Sequence, residues 1–356
     1  MGRVRKFELE DIEQVIDLNI KSFVRSKDLS REVQYEIFKE VCFNNPWYNE
    51  EVRSLVYEDS NGKIKGFLGV VPRKFHFEGK DILIGVGQHL MVDKVPLASL
   101  QLFKEFFAGP QDLSITDMAV DVGRPLWERL GGETIYLHSI YWRKPLKPIS
   151  FALLMTKPKL YNARVFLPIR SIFKIADYIL SRPSFSQQKF GLNNFELKEL
   201  EVNDFLINLN RFYEHKSLKP VYDSKSLLWL FERLKNEKRF GEFQKIVVLN
   251  KEGIVMGWFL YNLLKNGSSN VLQIVADDQT IETVINALFY HAWCKGAIEL
   301  IGRLDPEFMR TFFDRRCFFM PGRNWMLAHS RRKEIIDALH SNRAFFTRLE
   351  GDLWFF

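Results

Sequence analysis

The chain has 356 residues, of which 46% are hydrophobic; this length allows two domains, and this composition excludes wholesale disorder. Its net charge of +7, from 51 basic and 44 acidic residues, permits an anionic ligand without requiring one. Three widely spaced cysteines, Cys42, Cys294 and Cys317, have no metal-binding spacing. We therefore expect reduced, buried thiols, no metal site and a cytoplasmic protein.

Membrane and export signals are weak in this sequence. The N-terminal residues MGRVRKFELEDIEQ contain no apolar signal-peptide core, and no stretch reaches the roughly 18 uninterrupted apolar residues of a membrane-spanning helix. The best candidate for contact with a membrane surface is residues 165–180, VFLPIRSIFKIADYIL. Their apolar residues recur at helical spacing, which first predicts a helix packed on a domain.

The first 145 residues predict the element order β-α-α-β-β-β-α-β-α-β. A short strand over residues 3–9 precedes two helices, in ELEDIEQVIDLNIKSF and REVQYEIFKEVCF. Residues 52–92 predict a three-stranded antiparallel meander, because the Asn61-Gly62 turn separates two apolar runs. The helix PLASLQLFKEFFAG, the strand DLSITDMA, the helix VGRPLWERLGG and the strand ETIYLHSIYW follow.

The same order recurs after a break. Five prolines between residues 145 and 183, and the polar stretch SRPSFSQQKFG, indicate a helical, proline-rich linker over residues 149–194. From residue 195 a strand, two helices, a meander, a helix, a strand and a helix repeat the first pattern. We therefore predict an α+β protein with two domains, residues 1–148 and 195–356, each a mixed, mostly antiparallel sheet flanked by helices.

This doubled order resembles the GNAT acyltransferase superfamily in its tandem arrangement. The stretch PLWERLGGE is similar to the family element LYEKLGF, and the tail AHSRRKEIIDALHSNRAFFTRLEGDLWFF is similar to that of an uncharacterised bacterial subgroup. The resemblance covers most of residues 3–145 and 195–328 and is mainly topological. It implies transfer of an acetyl or acyl group from acyl-CoA to an amine of a small molecule, sugar or amino acid in a cleft between the domains.

The resemblance also implies a place for the CoA pyrophosphate, between the fourth strand and the third helix. The family holds it there with backbone N–H groups of an RxxGxG/A loop. The first half reads MVDKVPLASL and the second IVADDQTIET, so neither carries the glycines; Lys94 favours the first half, and Asp277 disfavours the second. Acetyl-CoA or acyl-CoA is therefore expected to bind main-chain groups in the first half, with pantetheine added as a strand. The implied residues are Leu90, Met91, Val92, Lys94, Val95 and Leu97.

The same resemblance implies candidate catalytic residues. Trp127 stands where the family carries a tyrosine acid, and an indole cannot supply that proton. Tyr136, or else Tyr141, could replace it from the next strand. His89, on the fourth strand, is either a general base or a core histidine with a satisfied hydrogen bond. Asp117 is a candidate catalytic residue because it ends the fifth strand, where loops carry function. Its alternative role is the N-cap of the next helix.

Two other functions remain open from the sequence. An aminoacyl-tRNA-dependent transferase of the Fem type is favoured by the basic stretches DRRCFFMPGRNW and HSRRKE, and disfavoured because no coiled-coil arm is found. A non-catalytic binding protein on a GNAT fold is favoured by the two altered phosphate loops. The oligomeric state is not determined by the sequence.

Overall fold

The computed structural model describes residues 2–156, 167–181, 195–237, 240–265, 267–322 and 324–352. The contacts divide the chain into two compact units, neither of which is one continuous stretch. The first unit contains residues 1–139, 213–230 and 323–356, and the second contains residues 140–212 and 231–322. This division differs from the boundaries predicted at residues 148 and 195, because each unit includes segments from both halves of the chain.

The first unit is built on one mixed sheet, with strand order β1-β2-β3-β4-β5-β15-β6 and β9 beside β3. Within the described ranges β4 and β5 are its one parallel pair. The strands are β1 (Arg3–Lys6), β2 (Leu55–Glu58), β3 (Ile64–Phe77), β4 (Lys80–Val92), β5 (Leu113–Ala119), β6 (Glu133–Thr134), β9 (Leu218–Pro220) and β15 (Trp325–His329).

The second unit has its own mixed sheet, of order β14-β7-β13-β12-β11-β10-β8. Its core packs aromatic and aliphatic side chains such as Trp142, Phe259 and Phe289 between this sheet and the helices on it. The strands are β7 (Ile140–Pro145), β8 (Phe195–Glu199), β10 (Glu242–Asn250), β11 (Val255–Leu263), β12 (Ser268–Ala276), β13 (Glu299–Arg303) and β14 (Phe318–Pro321).

Helices cover both sheets. They are α1 (Ile12–Ser22), α2 (Arg31–Cys42), α3 (Pro96–Ala108), α4 (Arg124–Arg129), α5 (Pro148–Thr156), α6 (Leu167–Ser181), α7 (Val202–Tyr213), α8 (Ser224–Asn236), α9 (Ile281–Lys295), α10 (Met309–Asp314) and α11 (Lys333–His340). Local sequence fixes several ends: Ser30 caps α2 through Val33 N–H, and Gly131, at φ +91°, follows α4 in the left-handed conformation that ends helices.

The two faces of the first sheet carry different helices. Phe38 of α2 packs edge-on against Phe67 of β3 on one face. On the other face Leu102 of α3 and Trp127 of α4 share a core with Val70. Helices on both faces of a mixed sheet confirm the predicted fold class, and both meanders lie where the sequence placed them.

The last strand predicted for the first half is wrong as a single strand. It breaks at a short 3₁₀ turn, Leu137–Ser139, so that β6 stays in the first sheet while β7 pairs with β13 and β14 in the second. The first sheet is completed instead by β15, which pairs with β5 and β6. Alternating apolar residues identify a strand but not its partner, so the sequence pattern joined the two pieces.

Two smaller predictions concern the thiols and the membrane. Cys42 and Cys317 are buried, but Cys294 is exposed, contrary to expectation, because it lies on the outer side of α9. Throughout the part of the chain that the structure describes, every helix is too short or too polar to cross a membrane.

Candidate active site

Strands β4 and β5 of the first unit pair over three residues and then separate. They pair only where Ile84–Val86 meet Leu113–Ile115. Beyond that point β4 continues along β3 to Val92, and β5 continues along β15 to Ala119. We call the space between residues 87–92 of β4 and residues 116–119 of β5 the cleft. Its facing backbone edges can pair with an extended ligand.

A β-bulge re-aims the side chains of β4 inside the cleft. The register runs from Gly69↔Gln88 directly to Phe67↔Met91, so two residues of β4 oppose one of β3. His89, at this bulge, adopts φ +54°, in the left-handed region that a non-glycine residue rarely occupies. The bulge turns its ring toward α1, where it stacks on Phe23 at a centroid distance of 4.7 Å.

A buried polar chain fixes the tautomer of His89. Gln34 Nε2 donates to the carbonyl oxygens of Ser26 at 2.9 Å and Leu29 at 3.2 Å, which can only accept. Gln34 Oε1 therefore accepts from Asn19 Nδ2 at 2.9 Å, and Asn19 Oδ1, 2.9 Å from His89 Nε2, must accept from it. The Nε2 nitrogen of His89 thus carries the proton, and Nδ1 is the basic nitrogen.

Burial lowers the pKa of His89 to about 3. The ring is therefore neutral at pH 7, because the imidazolium form loses hydration among Phe38 and Phe67. A nitrogen with so low a pKa accepts a proton weakly near neutral pH. The hydrogen bond to Asn19 and the stacking on Phe23 thus favour a role in holding the bulge.

Gln88 is the functional candidate that sequence reasoning missed. It lies two residues beyond Val86, the last β4 residue paired with β5, and by strand alternation it lies on the same sheet face as Ile84 and Val86. Its side chain is 5% exposed, and neither amide atom has a hydrogen-bond partner within the described ranges. A buried amide without partners costs roughly 1–3 kcal/mol. A ligand in the cleft that paired with it would recover that energy.

The glycines next to Gln88 serve packing. A Cβ on Gly85 or on Gly87 would come within 3.0 Å of the Phe106 ring of α3. Close approach of that ring explains why glycines stand at residues 85 and 87. Trp127 is 1% exposed and donates to the Ala328 carbonyl at 3.2 Å, so it is also part of the core.

The loop between β4 and α3 is basic. Asp93 lies 3.5 Å from both Lys21 Nζ and Lys65 Nζ, so two lysines surround one carboxylate. Lys94 adds an exposed cation and has φ +55°, the left-handed conformation for which a glycine would be the usual choice. Helix α3 starts directly afterwards without a side-chain cap. Cations and a helix start together favour an anionic group here.

The other predicted cofactor residues line the same stretch with different exposure. Met91 is buried at 2% exposure, while Leu90 and Val92 are partly buried against the α3 core. Val95 is partly buried, and Leu97 is 55% exposed in the first turn of α3. These residues can contribute main-chain groups of the cleft edge and the loop, since most of their side chains pack inward.

Asp117 anchors residues 344–352 to β5. Its side chain is fully buried, and it accepts from Arg348 Nη1 at 3.0 Å and from the backbone N–H of Asp352 at 2.7 Å. The N-cap interpretation is wrong, because α4 begins after Gly123. This anchoring brings the Asp352 carboxylate to 3.3 Å from the hydroxyl of Thr116, on the β5 side of the cleft.

Tyr136 lies near the end of β5. Its hydroxyl oxygen accepts from Arg124 Nη2 at 2.7 Å, and its side chain is 56% exposed. The ring packs edge-on against Trp325, which pairs with Ala119 in the sheet. The phenol oxygen accepts from Arg124 and still carries its own O–H, so Tyr136 is placed to donate a proton. Tyr141, the alternative acid, lies on β7 in the second unit's sheet.

In the second unit, the loop between β12 and α9 has its backbone N–H groups occupied by the side chain of Asp277. Asp277 Oδ1 accepts from the N–H groups of Gln279 at 3.1 Å and Thr280 at 2.9 Å, ahead of α9. These are donors that a phosphate would use, and a fixed carboxylate repels a phosphate. Among the residues described in either unit, no three His, Cys, Asp or Glu side chains lie close enough together to hold a metal ion.

Solved structures with the same architecture extend over most of this chain. A conserved protein of unknown function and probable N-acyltransferase from Enterococcus faecalis V583 has a TM-score of 0.58 at 13% identity; the match covers 93% of this chain and 73% of that protein's chain. A GCN5-related N-acetyltransferase from Anabaena variabilis ATCC 29413 has a TM-score of 0.56 at 12% identity, covering 92% and 72%. Saccharomyces cerevisiae N-myristoyltransferase, with bound myristoyl-CoA and inhibitors, has 0.52 at 11%, covering 92% and 79%.

These likenesses define the architecture. The chain has the GNAT fold in a tandem arrangement, as its sequence pattern indicated. No protein-family model and no curated protein matches the sequence. At identities this low the likeness concerns the fold, so the chemistry has to be argued from the cleft itself.

Proposed function

We propose that the protein is an N-acyltransferase that binds acyl-CoA in the cleft of the first unit and transfers the acyl group to an amine. The divergence of β4 from β5 beside a bulge carries this proposal. It leaves the β4 edge at residues 87–92 available to the pantetheine arm, which would pair as an added strand. The basic loop at Lys94 would then face the pyrophosphate.

Acyl transfer to an amine requires a hydrogen-bond donor for the acyl oxygen, a general base and a general acid. A neutral amine attacks the thioester carbon, the carbon–sulfur bond breaks, and CoA leaves as a thiolate. The Gln88 amide would donate to the acyl oxygen as it gains negative charge. The Asp352 carboxylate would accept the proton of the amine, and Tyr136 would return one to the thiolate. His89 and Asp117 act as positioning residues, holding the bulge and residues 344–352.

The basic stretches of the second half support a nucleic-acid substrate less than their composition indicated. Arg315 pairs with Glu282, and Arg332 lies 2.9 Å from Glu334 and 3.4 Å from Asp112. These two arginines are already paired with carboxylates, which weakens the argument for a phosphate contact at each of them. We therefore keep a small amine as the acceptor and acyl-CoA as the donor.

A thermal-shift titration with acetyl-CoA, longer acyl-CoAs and free CoA tests the proposal. Ligand at about 100 times its Kd should stabilise the folded protein by about 2.7 kcal/mol. Lys94→Glu should raise the ligand concentration needed for half of the maximal shift about tenfold, because the loop loses a cation and gains an anion. Lys251→Glu is the matched control, since Lys251 is also an exposed turn lysine but lies in the second unit.

The control separates site-specific from general charge effects. An equal loss in K94E and K251E would indicate non-specific attraction and would remove the argument for the first unit. A protein that no CoA stabilises would contradict acyl transfer and favour a non-catalytic binding protein on this fold.

A further inference from the structure

The end of β5 carries several exposed apolar side chains. Met118 is 38% exposed, Val120 is 57% exposed and Val122 is 88% exposed. Tyr136 adds an aromatic ring that is 56% exposed. Single exposed apolar residues are ordinary, but several at one place mark a contact surface. We call these four residues the β5-end surface.

Trp325 holds the parts of this surface together. It pairs with Ala119 in the sheet, and its ring packs edge-on against that of Tyr136 at a centroid distance of 6.1 Å. Its indole N–H donates to the carboxylate of Asp121 at 2.6 Å. These contacts place the Tyr136 ring beside residues 118–122, so the exposed apolar groups are neighbours in space.

The arginines described at this surface are paired with acidic side chains. Arg124 donates to Glu128 at 2.8 Å and to the hydroxyl oxygen of Tyr136 at 2.7 Å. Arg348 lies 3.0 Å from the Asp117 carboxylate. The N–H groups that would bind sugar hydroxyls or a carboxylate at these two arginines are therefore already engaged within the protein.

The two groups proposed to move protons lie along the same stretch of β5. The Asp352 carboxylate is 3.3 Å from the hydroxyl of Thr116, two residues before Met118. Tyr136 belongs to the β5-end surface itself. An amine that reaches both groups brings its body against the side chains between them. The carboxylate of Asp352 also attracts the ammonium form in which an amine arrives.

We infer, on the basis of the acyl transfer proposed above, that the β5-end surface binds the apolar body of the acceptor. The substrate class is then an amine carried on an aromatic or aliphatic group. Such a body gains free energy when it covers Met118, Val120 and Val122. An amino sugar would instead bring hydroxyl groups against these side chains, where they lose water without gaining hydrogen bonds.

Calorimetric titration of the full chain with phenethylamine and with glucosamine, in the absence of CoA, tests this assignment. We expect phenethylamine to bind about tenfold more tightly or better, because its ring can cover the apolar side chains. The double variant V120T/V122T keeps the shape of both residues but replaces two methyl groups by hydroxyls. It should raise the Kd for phenethylamine about fivefold. Circular dichroism and the melting temperature check that it remains folded.

The double variant V33T/V221T is the matched control. Val33 on α2 and Val221 after β9 are 46% and 38% exposed in the same unit. This variant should bind phenethylamine like the unaltered protein. Equal losses of affinity in both double variants would overturn the assignment, and so would glucosamine binding as tightly as phenethylamine.

Release of the CoA thiol from acetyl-CoA tests the proposed function separately. In the reaction the amine nitrogen forms an amide with the acetyl carbon, and CoA leaves as its thiol. Selective binding of phenethylamine without thiol release from either amine would contradict acyl transfer while the apolar surface stands. A higher kcat/KM with glucosamine would retain acyl transfer and overturn the assignment of the acceptor class.

Discussion

The buried side-chain amide of Gln88 is expected to lower the stability of the folded protein. Its amide is buried without a partner in the described part of the chain, whereas Gln34, also fully buried, is satisfied by Asn19, Ser26 and Leu29. Two glutamines of one unit thus differ in what their amides do. A buried group that destabilises the fold indicates a role in binding, because nothing in the packing requires it.

Replacing Gln88 by methionine separates these roles. Gln88→Met should raise the free energy of unfolding by about 1–2 kcal/mol, because it removes an unsatisfied amide and keeps the volume. It should also lower acyl transfer about tenfold, measured as CoA thiol release, if the amide donates to the acyl oxygen. The control Gln34→Met should destabilise by about 2 kcal/mol, because it leaves bonded groups unpaired. Destabilisation by Q88M would contradict this account.

His89 should make the protein sensitive to acid. Its pKa is about 3 in the folded protein against 6.5 as the ordinary value, so the unfolded chain binds the proton first. The contribution of His89 to stability is complete above pH 6.5 and is lost as the pH falls toward 3. By pH 5 the loss should be about 2 kcal/mol.

Comparison with His89→Gln isolates this residue. The variant keeps a donor for Asn19 and cannot titrate, so its stability should fall less between pH 7 and pH 5 than that of the unaltered protein. Denaturant unfolding at both pH values gives the difference. Other histidines, such as His291, whose pKa burial lowers to about 4, contribute equally to both proteins. Parallel pH curves would show that His89 is hydrated.

At the scale of elements, residues 344–352 are held to the sheet by buried polar contacts. Arg348 pairs with Asp117, and Arg73 donates to the Leu349 carbonyl at 3.1 Å while stacking on Trp47 at 3.6 Å. Burial raises the pKa of Glu350, which accepts from Thr347. These contacts hold Asp352 beside β5, at the position where its carboxylate is proposed to accept the proton of the amine.

Removing Arg348 should release this segment. Arg348→Met leaves the Asp117 carboxylate buried without its cation, and we expect a loss of about 3 kcal/mol in the free energy of unfolding. Arg310→Met is the control: Arg310 pairs with Asp314 at 3.9 Å but is 94% exposed, so the change should stay below about 0.5 kcal/mol. Similar small effects of both variants would show that the Asp117 pair contributes little.

Element prediction succeeded where the signal is local. The turn at Asn61-Gly62 is a property of a few adjacent residues, and it appears as expected between β2 and β3, with Gly62 at φ +75°. The bulge at His89 was not predicted, because a bulge depends on the register of two strands. Gln88 was missed for a related reason: a polar residue in a strand is common, and only burial without a partner distinguishes it.

At the scale of the whole molecule, sheet completion depends on residues far apart in sequence. In the first unit β15 covers the free edge of β5, and Met326, Ile335 and Leu339 complete the core around Ile84 and Ile115. Sequence periodicity identified β4 and β5, but it identified neither β15 nor α11 and did not reveal that these segments meet. Long-range pairing follows from the packed structure, and no short window contains it.

The fragment 1–148 should therefore fail to fold by itself. It lacks β15 and α11, so the edge of β5 and much of its apolar core would meet water. We expect aggregation, or a broad melting curve without a cooperative transition, in calorimetry and circular dichroism, where the full chain melts sharply. A soluble fragment with a sharp transition would show that the continuous boundary at residue 148 describes a folding unit.

Hydrogen exchange with and without acetyl-CoA tests the central claim most directly. If the cofactor pairs with β4 in the cleft of the first unit, amides of residues 87–98 and 116–119 should exchange more slowly when it is bound. Residues 273–281 of the second unit should be unchanged, because Asp277 already occupies the N–H groups there. Protection confined to the second unit, or absent from residues 87–98, would contradict the account.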